Sequence, residues 1–384
     1  MLRRKTKSET ERRPSSGDGK KLDGSEKFAK YSDLEDLQNM VVIRECKRDA
    51  EIFVPFKLLR VLVFAPSSFF QRVPTQVPDL IFLRYLSLKE WFKGLEYVVS
   101  ANRNLHTLVV SSSNESQPRG PTLHLPSTIW ESPQLQHLEL DNSYVIDPPS
   151  MVKDNMQTLS WVCPTHCRTE VYRKFPNIKK LKIFGFCGSS IILDDLNYLV
   201  QLERLTISVS VGCIVTLPKT LSMFPSQLKK LGLNGTSLSE RDLMVIGMLP
   251  QLEVLKLENA LQYGEPWKVA KGGFYRLKFL LLSDKTLKIW MAHDDSFLCL
   301  KRLVLRFCYS LKKIPMVRNL RSIELEQCCP SVVDFASRFG EYSQEFRRDF
   351  ENDIFKGEQW SPGRFQTRNV VGYDDNGLKN AKGE

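Results

Sequence analysis

Seven cations recur at corresponding places in this chain of 384 residues: Lys180, Lys182, Arg204, Lys230, Lys256, Arg302 and Arg306. Each stands beside a leucine or isoleucine, as in Leu181-Lys182-Ile183 and Leu255-Lys256-Leu257. Where apolar residues alternate in this way, they point to one side of a strand and the residues between them to the other. The cations then share a face, and the chemistry open to that face is attraction of an acidic protein surface. Charges that merely keep an exposed sheet soluble account for the same pattern equally well. Nucleic acid is disfavoured, because only Phe184, Phe279 and Phe307 stand among the positive charges to stack bases.

Catalytic chemistry finds little footing. The chain has no G-x-x-x-x-G-K-[ST] phosphate loop, no G-x-S-x-G elbow and no H-E-x-x-H pair. Cys163, His166 and Cys167 resemble half of a zinc site but lack a second pair at ligand spacing, so two free thiols in a loop are expected. Gly17, Gly19, Lys20 and Lys21 lie in a polar segment with no strand before them and no apolar helix after them. A phosphate site needs backbone amides converging at such a strand-to-helix turn, so the chain is expected neither to bind nor to hydrolyse nucleotide. The His293-Asp294 pair reads as loop. No catalytic residue, cofactor or metal is expected.

The elements that carry the cations are set by a repeated phrase, L-x-x-L-x-L. It occurs at Leu228/Leu231/Leu233 and returns at Leu252/Leu255/Leu257. Backwards it runs through Leu202/Leu205/Ile207 and Ile178/Leu181/Ile183 to a degraded copy at Met156/Leu159/Trp161. Earlier copies stand at Leu135, Leu105, Leu83 and Leu59, and later ones at Leu277, Leu300 and Leu320. Twelve copies at intervals of roughly 20–30 residues are the signature of a leucine-rich repeat. One strand cannot bury its leucines alone, but stacked strands make a parallel sheet with a continuous apolar core. The fold class is therefore α/β: a leucine-rich-repeat solenoid with a curved parallel sheet on the concave face and an irregular convex side. Cys308 and Cys328 fall three residues after the last leucine of their phrase, where a small polar residue satisfies buried backbone groups.

Around the array the organisation is simple. Residues 1–27 read as a disordered basic tail, and 28–58 as an N-terminal cap or lead-in with an amphipathic stretch from Phe28 to Ile43. Residues 59–330 hold the solenoid, with a polar insert between Leu105 and Leu135. Residues 331–384 form a polar C-terminal tail expected to be mostly disordered. Of the net charge of +11, about +8 falls in residues 28–337, so the repeats themselves are basic. No run of apolar residues reaches membrane-spanning length, and no apolar segment follows the basic N-terminus as in a secretory signal. The nine cysteines are expected to be reduced, and Asn114 and Asn234 unglycosylated, in the cytoplasm or, through the RRKTK cluster, the nucleus.

The segments LLRVLVF, LRYLSL, LPSTIWESPQLQHLEL and FPNIKKLKIFG resemble the leucine-rich-repeat domain of plant intracellular immune receptors. More specifically they resemble late blight resistance proteins of the coiled-coil, nucleotide-binding class, over roughly residues 50–330. The resemblance implies a non-catalytic recognition and autoinhibitory module of the defence response. It implies as partner a receptor's nucleotide-binding domain or a pathogen effector. The family's phosphate loop and Met-His-Asp motif have no counterpart here, so the nucleotide switch is expected to be missing. Two alternatives stand beside this reading: a substrate adaptor of a ubiquitin ligase, and a receptor fragment without function. The first needs an adaptor-binding helical domain, for which residues 1–50 are too polar.

Overall fold

The computed structural model describes residues 40–43, 58–64, 80–88, 91, 95–111 and 123–336. The basic tail, most of the N-terminal lead-in, the polar insert and the tail beyond residue 336 lie outside them, as do Gly17, Gly19 and Asn114.

Thirteen strands form one parallel sheet, each lying beside the strand of the preceding repeat. All twelve leucine phrases contribute a strand. The thirteenth, Met40–Ile43, precedes them and pairs in register with Val61–Phe64. It continues the sheet within the stretch expected to be an amphipathic lead-in, and its sequence MVVI carries β-branched residues in place of the leucine phrase.

Register explains why the phrase is spaced as it is. Leu205, Leu231, Leu255, Leu280, Leu303 and Ile323 are successive partners across the sheet. All point inward and are buried, with Leu255, Leu280 and Leu303 at 0% exposure. A second inward row runs two residues further on, from Ile207 through Leu233, Leu257, Leu282 and Leu305 to Leu325. Burying each leucine removes about 1.5–3 kcal/mol of apolar hydration cost, so the rows supply the core.

The degraded copy breaks this register. A bulge between Leu159 and Val162 brings Val162, and not Trp161, opposite Ile183. The inward position is therefore filled one residue later than the phrase predicts, as a bulge requires.

Behind the sheet the chain is short-ranged but less irregular than its sequence suggests. Three two-stranded parallel sheets occur there: Leu123–Leu125 with Tyr144–Ile146, Ser190–Ile192 with Ile214–Thr216, and Trp267–Lys268 with Trp290–Met291. The helix Glu240–Gly247 starts at a capping box, in which Ser239 Oγ accepts from the Asp242 amide and the Asp242 carboxylate accepts from the Ser239 amide. In the later repeats aromatic rings fill the interior. Trp267 stacks on Trp290 at 5.0 Å and Phe274 on Phe297 at 5.2 Å, each ring one repeat from its partner.

Candidate functional site

The outward residues of the sheet form three files running across the strands, with rungs about 4.8 Å apart. The first file reads Lys180, Arg204, Lys230, Val254, Phe279, Arg302 and Ser322. The second reads Lys182, Thr206, Gly232, Lys256, Leu281, Val304 and Glu324. The third runs from Phe184 to Ser208, Asn234, Glu258, Ser283, Arg306 and Glu326. All seven nominated cations thus sit on one face. Their distribution is uneven: Arg302 is parted from Lys230 by Val254 and Phe279, and Lys182 from Lys256 by Thr206 and Gly232.

The structure divides these cations into two groups. Lys180 reaches Glu139 at 2.7 Å and Lys182 reaches the same carboxylate at 3.7 Å. Burial alone would favour the neutral form of Glu139, but the hydrogen bond and charge of Lys180, with Lys182 beside it, hold its carboxyl below the usual range. At the other end Arg302 bridges to Glu324 at 2.5 Å and Arg306 to Glu326 at 2.9 Å, and the Arg302 guanidinium lies over the Phe279 ring. Arg204, Lys230 and Lys256 are exposed and make no salt bridge among the described residues.

This division decides what the face can do. An incoming carboxylate at Lys180 or Arg302 has to displace a resident one, so the exchange gains little net energy. At Arg204, Lys230 and Lys256 no resident competes. The cations at the centre of the face are thus without a salt bridge among the described residues, while those at its two ends are paired internally. Phe184 is 8% exposed, so it offers no surface on which a base could stack.

The other sequence candidates do not converge on a site. Cys163 and Cys167 flank a turn of 3-10 helix, Pro164–His166, and the Cys167 thiol donates to the Cys163 carbonyl at 3.6 Å. His166 turns to Asp147 at 3.8 Å and lines a small apolar cavity between Trp130, Leu159 and Phe175. No group of three or more metal-ligating side chains gathers among the described residues. Asp294, exposed, pairs with Arg318 at 3.5 Å. The Cys308 thiol donates to the Arg306 carbonyl at 3.3 Å and the Cys328 thiol to the Leu305 carbonyl at 3.5 Å, which is the backbone-satisfying role read from their position.

The described cysteines are all free thiols. Burial pushes the Cys167 thiol up to about 12, and hydrogen bonding with Cys328 together with burial raises Cys308. Since the thiolate is the nucleophile, a maleimide applied to the native chain near neutral pH should label the exposed Cys187 and Cys299. Cys167 and Cys308 should react only after unfolding. Peptide mass spectrometry reads this directly, and early labelling of Cys308 would contradict its placement in the core.

No family model matches the chain. Two late blight resistance protein homologues of Solanum demissum are each 32% identical to it. The matches run over 351 residues, or 86% of this chain, in one and over 327 residues, or 80%, in the other. The chain is a homologue of these late blight resistance proteins. It spans 25% of the length of either relative. Among solved structures, an internalin of Listeria monocytogenes is similar at a TM-score of 0.36 and 13% identity, over 70% of this chain and 68% of that one. With the sheet already described, this chain is a leucine-rich-repeat module similar to part of these disease-resistance proteins. No helix among its described residues is long and apolar enough to cross a membrane.

Proposed function

We propose that this late blight resistance homologue is a non-catalytic protein-interaction module of the defence response, acting in the cytoplasm through the concave face of its sheet. The partner is an acidic protein surface. The nucleotide-binding domain of a receptor of the same class fits best, and a pathogen effector is the second reading. The observation that carries this is the central trio Arg204, Lys230 and Lys256, exposed and without a salt bridge among the described residues. Such a surface draws acidic partners by long-range attraction and holds them by direct pairing.

Co-precipitation with the purified nucleotide-binding domain of a late blight resistance homologue tests it. Reversing all three cations (R204E/K230E/K256E) should weaken binding on the order of 100-fold. The unaltered contact should also weaken as salt shortens the screening length from about 8 Å at physiological strength to roughly 3 Å at 1 M. Reversing Lys285, Lys312 and Lys313, which are exposed outside the strands of the large sheet, changes net charge equally and should leave binding intact. Salt-insensitive binding that survives the central reversal would remove the electrostatic reading.

A further inference from the structure

The middle of the trio is occupied by a residue with no side chain. Gly232 lies inside the strand Lys230–Asn234 and faces outward, with Thr206 and Lys256 as its register partners. Lys230 is the next outward residue on its own strand, and Arg204 is the register partner of Lys230. Every other rung of this file from Lys182 to Glu324 carries a side chain.

Glycine inside a strand costs conformational entropy and packing, and it commonly marks a place where another group approaches closely. The two usual structural reasons for keeping it are absent. Gly232 is not among the residues of positive φ. The three atoms nearest to a Cβ built on it all belong to the Thr206 side chain, the first at 3.5 Å, which is ordinary van der Waals contact. Gly185 differs, because its Cβ would lie 2.4 Å from Cys213 Sγ. The fold therefore admits a side chain at 232 and the chain leaves the space open.

We propose that this gap is a seat for one acidic side chain of the partner, inserted above Gly232 and held by Arg204, Lys230 and Lys256. The proposal rests on the docking function above and specifies its anchoring contact. The sheet backbone forms the floor, with the Thr206 side chain as one wall. The amides of the floor are committed to the sheet, so they offer the ligand little. The cations supply the binding chemistry: a guanidinium can grip both carboxylate oxygens, and two ammonium groups add mobile donors. Glu258 is the sole carboxylate at an outward position on the three strands Arg204–Val209, Lys230–Asn234 and Val254–Glu258, so an excess of positive charge remains. A carboxylate seated there gains three partners at once. A group resting on a filled surface would be held away from at least one of them.

The test uses the full chain and a fluorescein-labelled peptide of eight glutamates, read by fluorescence anisotropy. Gly232→Val fills the seat with a residue that strands favour, so folding should survive, which a thermal melt verifies. The peptide should then bind about tenfold more weakly, a loss of ~1.4 kcal/mol. Gly232→Ala, which adds only the Cβ, should give a smaller loss in the same direction and serves if the valine chain melts early. The triple reversal R204E/K230E/K256E should abolish binding. If both glycine variants bind as tightly as the unaltered chain while the reversal fails to bind, the seat is refuted and the docking face stands. If the reversal binds as well as the unaltered chain, or the unaltered chain does not bind, the docking reading falls and the seat with it.

Discussion

Arginine in place of Leu255 should lower the thermal midpoint of the repeats by roughly 10 °C, the shift that about 4 kcal/mol produces in a domain of this size. Leu255 is 0% exposed, and its register partners are Leu231 and Leu280. A guanidinium there has leucine on both sides within the sheet, and no inward position of the strands Lys230–Asn234, Val254–Glu258 and Phe279–Ser283 carries a carboxylate to meet it. Its charge cannot be shed, because arginine stays protonated in proteins. The strand must move outward, and the damage should pass to neighbouring repeats, since each is held only by those beside it. Calorimetry of purified L255R checks the expectation. The control is the next residue: Lys256 faces the opposite side, so K256L should shift stability by no more than about 0.5 kcal/mol. Equal midpoints for L255R and the unaltered chain would refute the assignment of inward and outward positions.

That contrast between adjacent residues was legible in the sequence because burial constrains residue type strongly. Leucine at every second position needs no partner identity to be read, only the knowledge that one face must be dry. The phrase located twelve strands on this ground. It missed Met40–Ile43, whose sequence MVVI does not carry the leucine phrase, and it misplaced the inward residue at the bulge, because an added residue leaves no mark on composition. The helix Glu240–Gly247 did carry a signal, the Ser239 to Asp242 spacing of a capping box, which the leucine pattern overshadowed.

The candidate site was legible in outline and not in detail. Its seven cations do share a face, but the sequence does not say which are already paired. Lys180 finds its counter-ion in Glu139, 41 residues away in the chain, and Arg302 finds Glu324 one strand over. Such pairs depend on side-chain reach between strands, which periodicity does not encode. Exposure and pairing together reduce the seven to Arg204, Lys230 and Lys256. Gly232, at the centre of those three, looks like any other variable position until the space beside it is measured.

The second large effect is expected at Gly235, where the chain leaves its strand. Several strands of this sheet end with a residue in the left-handed region: Gly235 at φ 74, Asn259 at φ 45, Phe307 at φ 54 and Gln327 at φ 51. Three of the four are not glycine, so the conformation by itself is tolerated, at a cost of about 1 kcal/mol for an L-residue. What separates Gly235 is its neighbour. A Cβ there would lie 2.5 Å from the carbonyl oxygen of Val209, a backbone atom fixed in the adjacent strand. It cannot rotate away as a side chain would. Gly235→Ala should therefore cost roughly 3 kcal/mol, the strain of the left-handed turn plus the displacement of a strand end. Gly264 supplies the comparison, with φ at 77 and nothing within 4 Å of its Cβ position. Gly264→Ala should carry the conformational cost alone, about 1 kcal/mol. Denaturant unfolding of the two variants measures the difference as a shift in midpoint at constant slope. If G235A and G264A lose the same stability, the close approach of the two strands at Val209 is not what requires glycine at 235.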